Sequence, residues 1–112
     1  MDVDLTLLGS TMVYSEVYNM VYYPEEYIGK SVRMKGSYVR AEDPQTGNVY
    51  HGCIIQDATA CCSQGIEFVL AKGAYPEELD EITVKGVFDT YMEDGQYYCT
   101  LRDATLEAVE SF

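Results

Sequence analysis

The sequence lacks tryptophan, and it has one His and 7 Lys plus Arg among its 112 residues. Beside 19 Asp and Glu, these few cations leave a formal net charge of −12. That charge argues against nucleic-acid binding, because phosphate contacts need clustered Lys and Arg, and against direct docking on anionic lipid. With one His we can place no Ser-His-Asp set, and no Gly-rich phosphate loop appears. We therefore expect a non-enzymatic protein.

Long apolar runs are also missing. No stretch approaches the ~20 apolar residues of a membrane-spanning helix. The opening residues 1–8 are too short an apolar segment, and too acidic, for a signal peptide. Two locations fit this start: the cytoplasm, or the soluble part of an exported protein. The length predicts a single domain over 1–112, and a hydrophobic content of 47% excludes disorder.

The most informative feature that is present is an internal repeat. Residues 32–38 resemble residues 82–88, and both stretches contain Lys-Gly in an alternating apolar pattern. The string Cys-x-x-x-Asp-Ala-Thr then occurs at 53–59 and again at 99–105. Apolar residues at every second position indicate half-buried strands. The repeat therefore predicts two similar β-hairpins.

These hairpins and one further strand predict the fold class. The predicted hairpins pair 31–40 with 49–58 and 82–92 with 96–104. A fifth strand is predicted over Ile66 to Leu70, with Glu67 facing outward. Gly36 and Gly86 lie in the middle of strands, which favours the bends or bulges that curl a sheet into a barrel. We predict a mainly β protein with a small five-stranded Greek-key barrel like the OB-fold over 31–109; an SH3-like or other small barrel stays open.

A helix and turn are predicted over 10–28, ahead of the strands. Ser10 or Thr11 can cap the helix, and Pro24 ends it. An apolar stripe and a neighbouring tyrosine stripe occur at helical spacing: Val13, Val17, Met20 and Val21, and Tyr14, Tyr18 and Tyr22. We expect both stripes to pack on the barrel and the helix to cover its opening. A second, single helical turn is expected at 76–79.

Cys61 and Cys62 are the sharpest local motif. Adjacent residues on a regular strand face opposite sides, so both thiols address one ligand only from a loop, and the segment before Gly65 suits a loop. Three interpretations remain. The first is a thiolate metal site, with zinc as a candidate ion and Asp57, or also Asp103, as a co-ligand. The second is a redox-active vicinal disulfide or a cross-link to another Cys, and the third is simple packing. His51 should lie at the far end of its hairpin, so we expect it at a surface or edge and not as a ligand.

The other two cysteines are predicted to be structural. Cys53 and Cys99 fall on inward faces beside Ile55 and Leu101, where a buried thiol is the usual case. In an OB-like strand order their strands flank the first strand on opposite sides. A disulfide between them is therefore not expected, because it needs Cα atoms within ~7 Å.

Eleven tyrosines suggest a second kind of site. Exposed tyrosines on a barrel can stack on flat or ring-shaped ligands. The candidate ligand-binding residues are Tyr38, Tyr50, Tyr91, Tyr97 and Tyr98. The loops that frame them are acidic, with Glu42-Asp43 in one and Glu93-Asp94 in the other. These charges repel phosphate and tolerate neutral sugars, peptides or cations.

Residues 34–109 resemble a group of small bacterial OB-fold-like domains, found as short lipoproteins of Gram-positive bacteria and as soluble domains of membrane-protein partners. The matching residues are Met34-Lys35-Gly36-x-Tyr38-Val39, Asp43-Pro44, Cys61-Cys62 with Gly65, Val84-Lys85-Gly86, and Leu106-Glu107-Ala108. In that group the Cys pair follows its strand directly, whereas residues 57–60 intervene here. The resemblance implies an extracytoplasmic, membrane-tethered binding module with a link to metal handling and a membrane protein as partner.

Three hypotheses of function follow. The first is an extracytoplasmic binding module that holds a soft metal ion through Cys61 and Cys62. The second is a protein- or glycan-binding module that uses the tyrosines, with structural cysteines. The third is a thiol-redox protein, which requires a low thiol pKa at the Cys pair.

Overall fold

The computed structural model describes residues 2–56, 63–93 and 95–111. In chain order the elements are β1 (Val3–Asp4), a short 3-10 helix (Leu5–Leu7), α1 (Ser10–Tyr22), a second 3-10 helix (Pro24–Glu26), β2 (Ser31–Glu42), β3 (Val49–Gln56), β4 (Ser63–Leu70), β5 (Glu81–Glu93) and β6 (Gln96–Glu110). The prediction of a mainly β protein with an N-terminal helix is confirmed. Over the described part of the chain, no helix has both the length and the apolar character to cross a membrane.

The strands form one sheet in the order β1-β2-β3-β4-β6-β5. A further pairing of β2 with β5 closes this sheet partly into a ring. Strand β4 runs parallel to β6, and the pairs β2–β3, β3–β4, β2–β5 and β5–β6 are antiparallel. The expected count of five strands is not confirmed, because β1 adds a sixth strand parallel to β2. Two residues are too few to show the alternation that marks a strand.

Strand β2 is long enough to take part in both halves of the ring. Its first part, 31–37, pairs with β5, and its second part, 37–42, pairs with β3. Both predicted hairpins are present, since β2 pairs with β3 and β5 pairs with β6 from Glu81 to Glu110. The two hairpin ends therefore project from the same closed sheet.

The two mid-strand glycines lie where strands approach each other closely. A Cβ atom at Gly36 would lie 2.5 Å from the carbonyl oxygen of Ile54 and 2.9 Å from the Sγ atom of Cys53. Gly86 lies at a register shift between β5 and β6, and its Cβ would lie 2.9 Å from that of Leu101. Any side chain at either position would push two paired strands apart.

Helix α1 packs one face against β3 and β4. Val17 and Met20 are fully buried, and Val13 and Val21 are partly buried against the core. Tyr18 and Tyr22 are exposed, and their tilted rings contact each other with centroids 4.4 Å apart. The expectation that the tyrosine stripe packs on the barrel is therefore wrong for these two residues. Each residue turns the helix by about 100°, which carries position 18 away from the face centred on position 17.

Two local expectations about helical structure are also wrong. The residue that caps α1 is Gly9, one position before Ser10. Residues 76–79 form no helical turn, because Leu79 adopts a φ of 72° and donates its N–H to the carbonyl of Tyr38. The backbone N–H of Tyr38 in turn donates to the carbonyl of Asp80, so this segment pairs with β2. The N–H of Asp80 closes a non-helical turn on the carbonyl of Glu77.

Candidate functional site

A pocket of about 530 Å³ opens between the ends of the two hairpins. Its lining includes four tyrosines and three acidic residues: Tyr50, Tyr91, Tyr97, Tyr98, Asp43, Glu67 and Glu93. We call it the tyrosine pocket. Its volume lies within the range of roughly 300–1,000 Å³ that is common for small-molecule sites.

The first wall of the pocket comes from the β2–β3 hairpin. Asp43 begins the turn, where its backbone N–H donates to the carbonyl of Asn48 and its side chain accepts from the N–H of Gln45 at 2.9 Å. Gly47 takes a φ of 77°, which a glycine adopts without strain. An Asp at the start of such a turn is held by its own backbone contacts. The turn therefore fixes Asp43 at the rim, and Tyr50 follows at the start of β3.

The second wall comes from the β5–β6 hairpin. Tyr91 and Tyr98 are cross-strand partners, and their rings stack with centroids 5.6 Å apart and planes inclined by 28°. Tyr91 is half-buried, whereas Tyr97 is 72% exposed. Glu93 ends β5 just before the turn. Cross-strand aromatic pairs stabilise such hairpins, so the pocket wall also holds the hairpin together.

Two phenol–carboxylate hydrogen bonds orient the rings. Tyr50 donates its hydroxyl proton to Glu93 Oε1 at 2.5 Å, and this bond raises the pKa of Tyr50. Burial, followed by a hydrogen bond to Glu67, raises the pKa of Tyr91. Both phenols thus keep their protons and donate them to carboxylates. The bonds also link the two hairpins, because Tyr50 belongs to β3 and Glu93 to β5.

The remaining surface of the pocket is less polar. Val21 of α1 and Cys99 of β6 line it, and the Cys99 sulfur lies 3.9 Å from the carbonyl oxygens of Met20 and Val21. Cys99 is partly buried, and burial raises the pKa of its thiol. A smaller hollow of about 240 Å³ adjoins this site and shares Tyr50 and Glu67 with it. The site is therefore aromatic and acidic with a small apolar side.

The structure brings together four of the five tyrosines named from the sequence. Tyr50, Tyr91, Tyr97 and Tyr98 line the pocket, but Tyr38 is 1% exposed and belongs to the core. The expectation that Tyr38 is exposed on the ligand face is wrong for this reason. It shares the inward face of β2 with Met34 and Val32, which lie two and three alternations away.

Glu67 is the charged lining residue that sequence reasoning did not assign to a site. Its outward orientation on β4 was predicted from the alternation with Ile66 and Phe68, which are buried. Alternation shows which side chains point out of a barrel. It does not show which outward side chains lie between two hairpin ends, because that depends on the pairing of β4 with β3 and β6.

His51 is more enclosed than its predicted surface or edge position. Its Nδ1 forms a hydrogen bond of 2.5 Å with the hydroxyl of Tyr38, and its ring stacks on that of Tyr75 at 3.5 Å. Burial, followed by the charge of Arg40, lowers the pKa of His51. The segment that pairs with β2 through Leu79 carries Tyr75 over the histidine, a long-range contact with no local signal.

The predicted metal-site residues Asp57, Cys61 and Cys62 lie outside the described residues, and the thiolate site stays a prediction. Within the described ranges, no group of three or more His, Cys, Asp and Glu side chains is arranged to hold a metal ion. Cys53 is buried and free, and burial raises its thiol pKa to about 12. Cys99 is also free.

A second cavity, of about 640 Å³, lies on another side of the sheet. Most of its lining is aliphatic, with Leu5, Leu8 and Val13 among the residues. Its charged residues, Lys35 and Glu81, form an ion pair at 3.3 Å with each other. The tyrosine pocket offers more groups for specific recognition, because its carboxylates and ring faces converge on one space.

Comparison of the chain with protein-family models, curated proteins and solved structures finds no match. The resemblance to small bacterial OB-fold-like lipoprotein domains therefore stays a prediction, as does the extracytoplasmic location that it implies.

Proposed function

We propose that this protein is a non-enzymatic binding module built on an OB-fold barrel, and that the tyrosine pocket is its ligand site. The strand order supports the OB part of the proposal. Strand β2 lies between β3 and β5, and β4 pairs in parallel with β6. This arrangement matches the partly open Greek-key barrel whose loops and faces commonly bind ligands.

One observation carries the binding part of the proposal. Two hairpins that are far apart in the chain place four tyrosines around one pocket of about 530 Å³. Tyr97 is 72% exposed and Tyr98 is 42% exposed, so both rings have large apolar faces open to solvent. Such faces are costly in water unless a ligand or partner covers them, and clusters of them mark binding sites.

The test is a panel of small probes followed by amide NMR spectra of the labelled protein. The panel contains glucose, N-acetylglucosamine, a neutral tripeptide, benzoate and choline. We expect at least one probe to shift amides in the ranges 41–50 and 91–99. Tyr97→Ala should weaken that binding without unfolding the protein, because the side chain is 72% exposed.

Tyr23→Ala is the matched control. Tyr23 is 57% exposed, follows α1, and is not among the residues that line the pocket. Its loss should leave the shifts unchanged. The proposal is overturned if no probe shifts the hairpin amides, or if Tyr97→Ala and Tyr23→Ala weaken binding equally.

A further inference from the structure

The lining of the tyrosine pocket carries charge of one sign. Asp43, Glu67 and Glu93 contribute three carboxylates, and among the residues that the structure describes no Lys, Arg or His side chain lines the pocket. Ligands with a negative charge would meet unfavourable repulsion in this space. The lining therefore selects between classes of ligand before any shape is considered.

Four of the seven Lys and Arg residues form ion pairs with other described residues, outside the pocket. Arg33 pairs with Asp4 and Glu107, and Arg102 pairs with Asp89 and Asp103. Lys35 and Arg40 form ion pairs with Glu81 and Glu42. Across 2–56, 63–93 and 95–111, no ion pair reaches the three pocket carboxylates.

Phenol hydroxyls hold two of these carboxylates in place without neutralising them. Tyr50 donates to Glu93, and Tyr91 donates to Glu67. The hydroxyls of Tyr50 and Tyr91 are used by these carboxylates, and Tyr91 stacks on Tyr98. The ring surface left for a ligand is that of the exposed Tyr97 and Tyr98. An aromatic face attracts a cation through its quadrupole, most strongly when the cation is partly removed from water.

We propose that the tyrosine pocket binds an organic ammonium group, held by the tyrosine faces and by Asp43, Glu67 and Glu93. This inference rests on the proposed function of the pocket as a ligand site. A bare Ca²⁺ or Mg²⁺ ion suits the site less well, because these ions take six or more oxygen ligands and aromatic faces supply none. The net charge of −12 draws cations toward the protein from a distance.

The decisive experiment compares choline with its uncharged carbon analogue, in which a tert-butyl group replaces the trimethylammonium group. The two have nearly the same shape, so a difference in affinity reports the charge. We expect the neutral analogue to bind at least about tenfold more weakly, because it loses both the cation–π and the carboxylate attraction. Choline binding should weaken as salt rises, whereas binding of the analogue should not.

Substitutions of single carboxylates test whether the charge dependence of choline binding arises in the pocket. Glu67→Gln and Glu93→Gln keep an oxygen that accepts from Tyr91 or Tyr50, so the rings stay oriented, and each should weaken choline binding several-fold. Glu110→Gln is the matched control, since it makes the same change in net charge at an exposed position near the end of β6. Equal losses in all three variants would overturn a local role for the pocket carboxylates.

Binding measurements with further ligands distinguish the source of the ammonium group. A capped Gly-Lys-Gly peptide that binds more tightly than choline identifies a protein lysine as the source. Tighter choline binding identifies a small quaternary ammonium compound, and both results support the proposal. Equal binding of choline and its neutral analogue overturns the cation inference and leaves the ligand pocket intact. Binding of calcium chloride but not of choline overturns the organic nature of the ligand.

Discussion

Gly36→Ala should destabilise the protein by about 2–3 kcal/mol, near the upper end of what overpacking costs. The added Cβ would lie 2.5 Å from the carbonyl oxygen of Ile54, about 0.9 Å short of the 3.4 Å at which ordinary contact begins. The obstructing atom belongs to the backbone of β3, next to the register pair Ser37–Ile54. To relieve this overlap, β2 and β3 must separate near Ser37, where the pairing of β2 passes from β5 to β3.

Gly52→Ala is the matched control on the opposing strand. Its Cβ would meet a methyl group of Val39 at 3.3 Å, so we expect a change within about 1 kcal/mol. Both variants gain about 0.4–1 kcal/mol from the reduced entropy of the unfolded chain, and this gain cancels in the comparison.

Urea and thermal denaturation measure the difference. For a domain of this size, 2–3 kcal/mol corresponds to a fall in Tm of about 8–12 °C for Gly36→Ala. The urea midpoint should fall by about 1–2 M with an unchanged slope. If Gly36→Ala and Gly52→Ala unfold at the same temperature, close strand approach at Gly36 is not what requires glycine there.

Three further predictions follow from single residues. The pKa of His51 is lowered in the folded protein, so the unfolded chain takes up this proton first as the pH falls. The free energy of unfolding should therefore be highest above the ordinary His pKa of 6.5 and should decrease below it. Urea titrations from pH 7 to 5 should show this decrease in the native protein and not in His51→Asn. Cys53, buried with a pKa of about 12, should resist alkylation in the folded protein while the partly buried Cys99 reacts first, and mass spectra of the digested protein check the order. Thr100→Val should leave stability unchanged or raise it by up to about 1 kcal/mol in thermal melts, because the buried hydroxyl of Thr100 has no hydrogen-bond partner among the described residues; a loss of stability would show that the hydroxyl is satisfied.

The sequence predicted strands β2 to β6 well, because the alternation of apolar and polar side chains along a strand is a local pattern. Alternating residues around Gly36 and Gly86 identified both hairpins, and the helical stripe through Val17 and Met20 identified the buried face of α1. The short strand β1 and the conformation of 76–79 were not predictable, since both are set by pairing with β2.

The candidate site was predicted in part, through residue type. Exposed tyrosines near acidic loops suggested a ligand face, and the structure places four of them around one pocket. Tyr38 was misplaced because a tyrosine on an inward face was taken as a surface residue. Glu67 entered the site only through the pairing of β4 with its neighbours, which no single segment of sequence encodes.

The pairing of β2 with β5 has a consequence for how the chain folds. Ser37 and its partner Glu81 are more than forty residues apart, so the ring closes only after a large loss of loop entropy. Folds dominated by such distant contacts form slowly, over milliseconds to seconds. The tyrosine pocket takes its walls from both hairpins, so it exists only once the ring has closed. A ligand that enters it binds the closed state alone, and its presence should slow unfolding while leaving the folding rate unchanged.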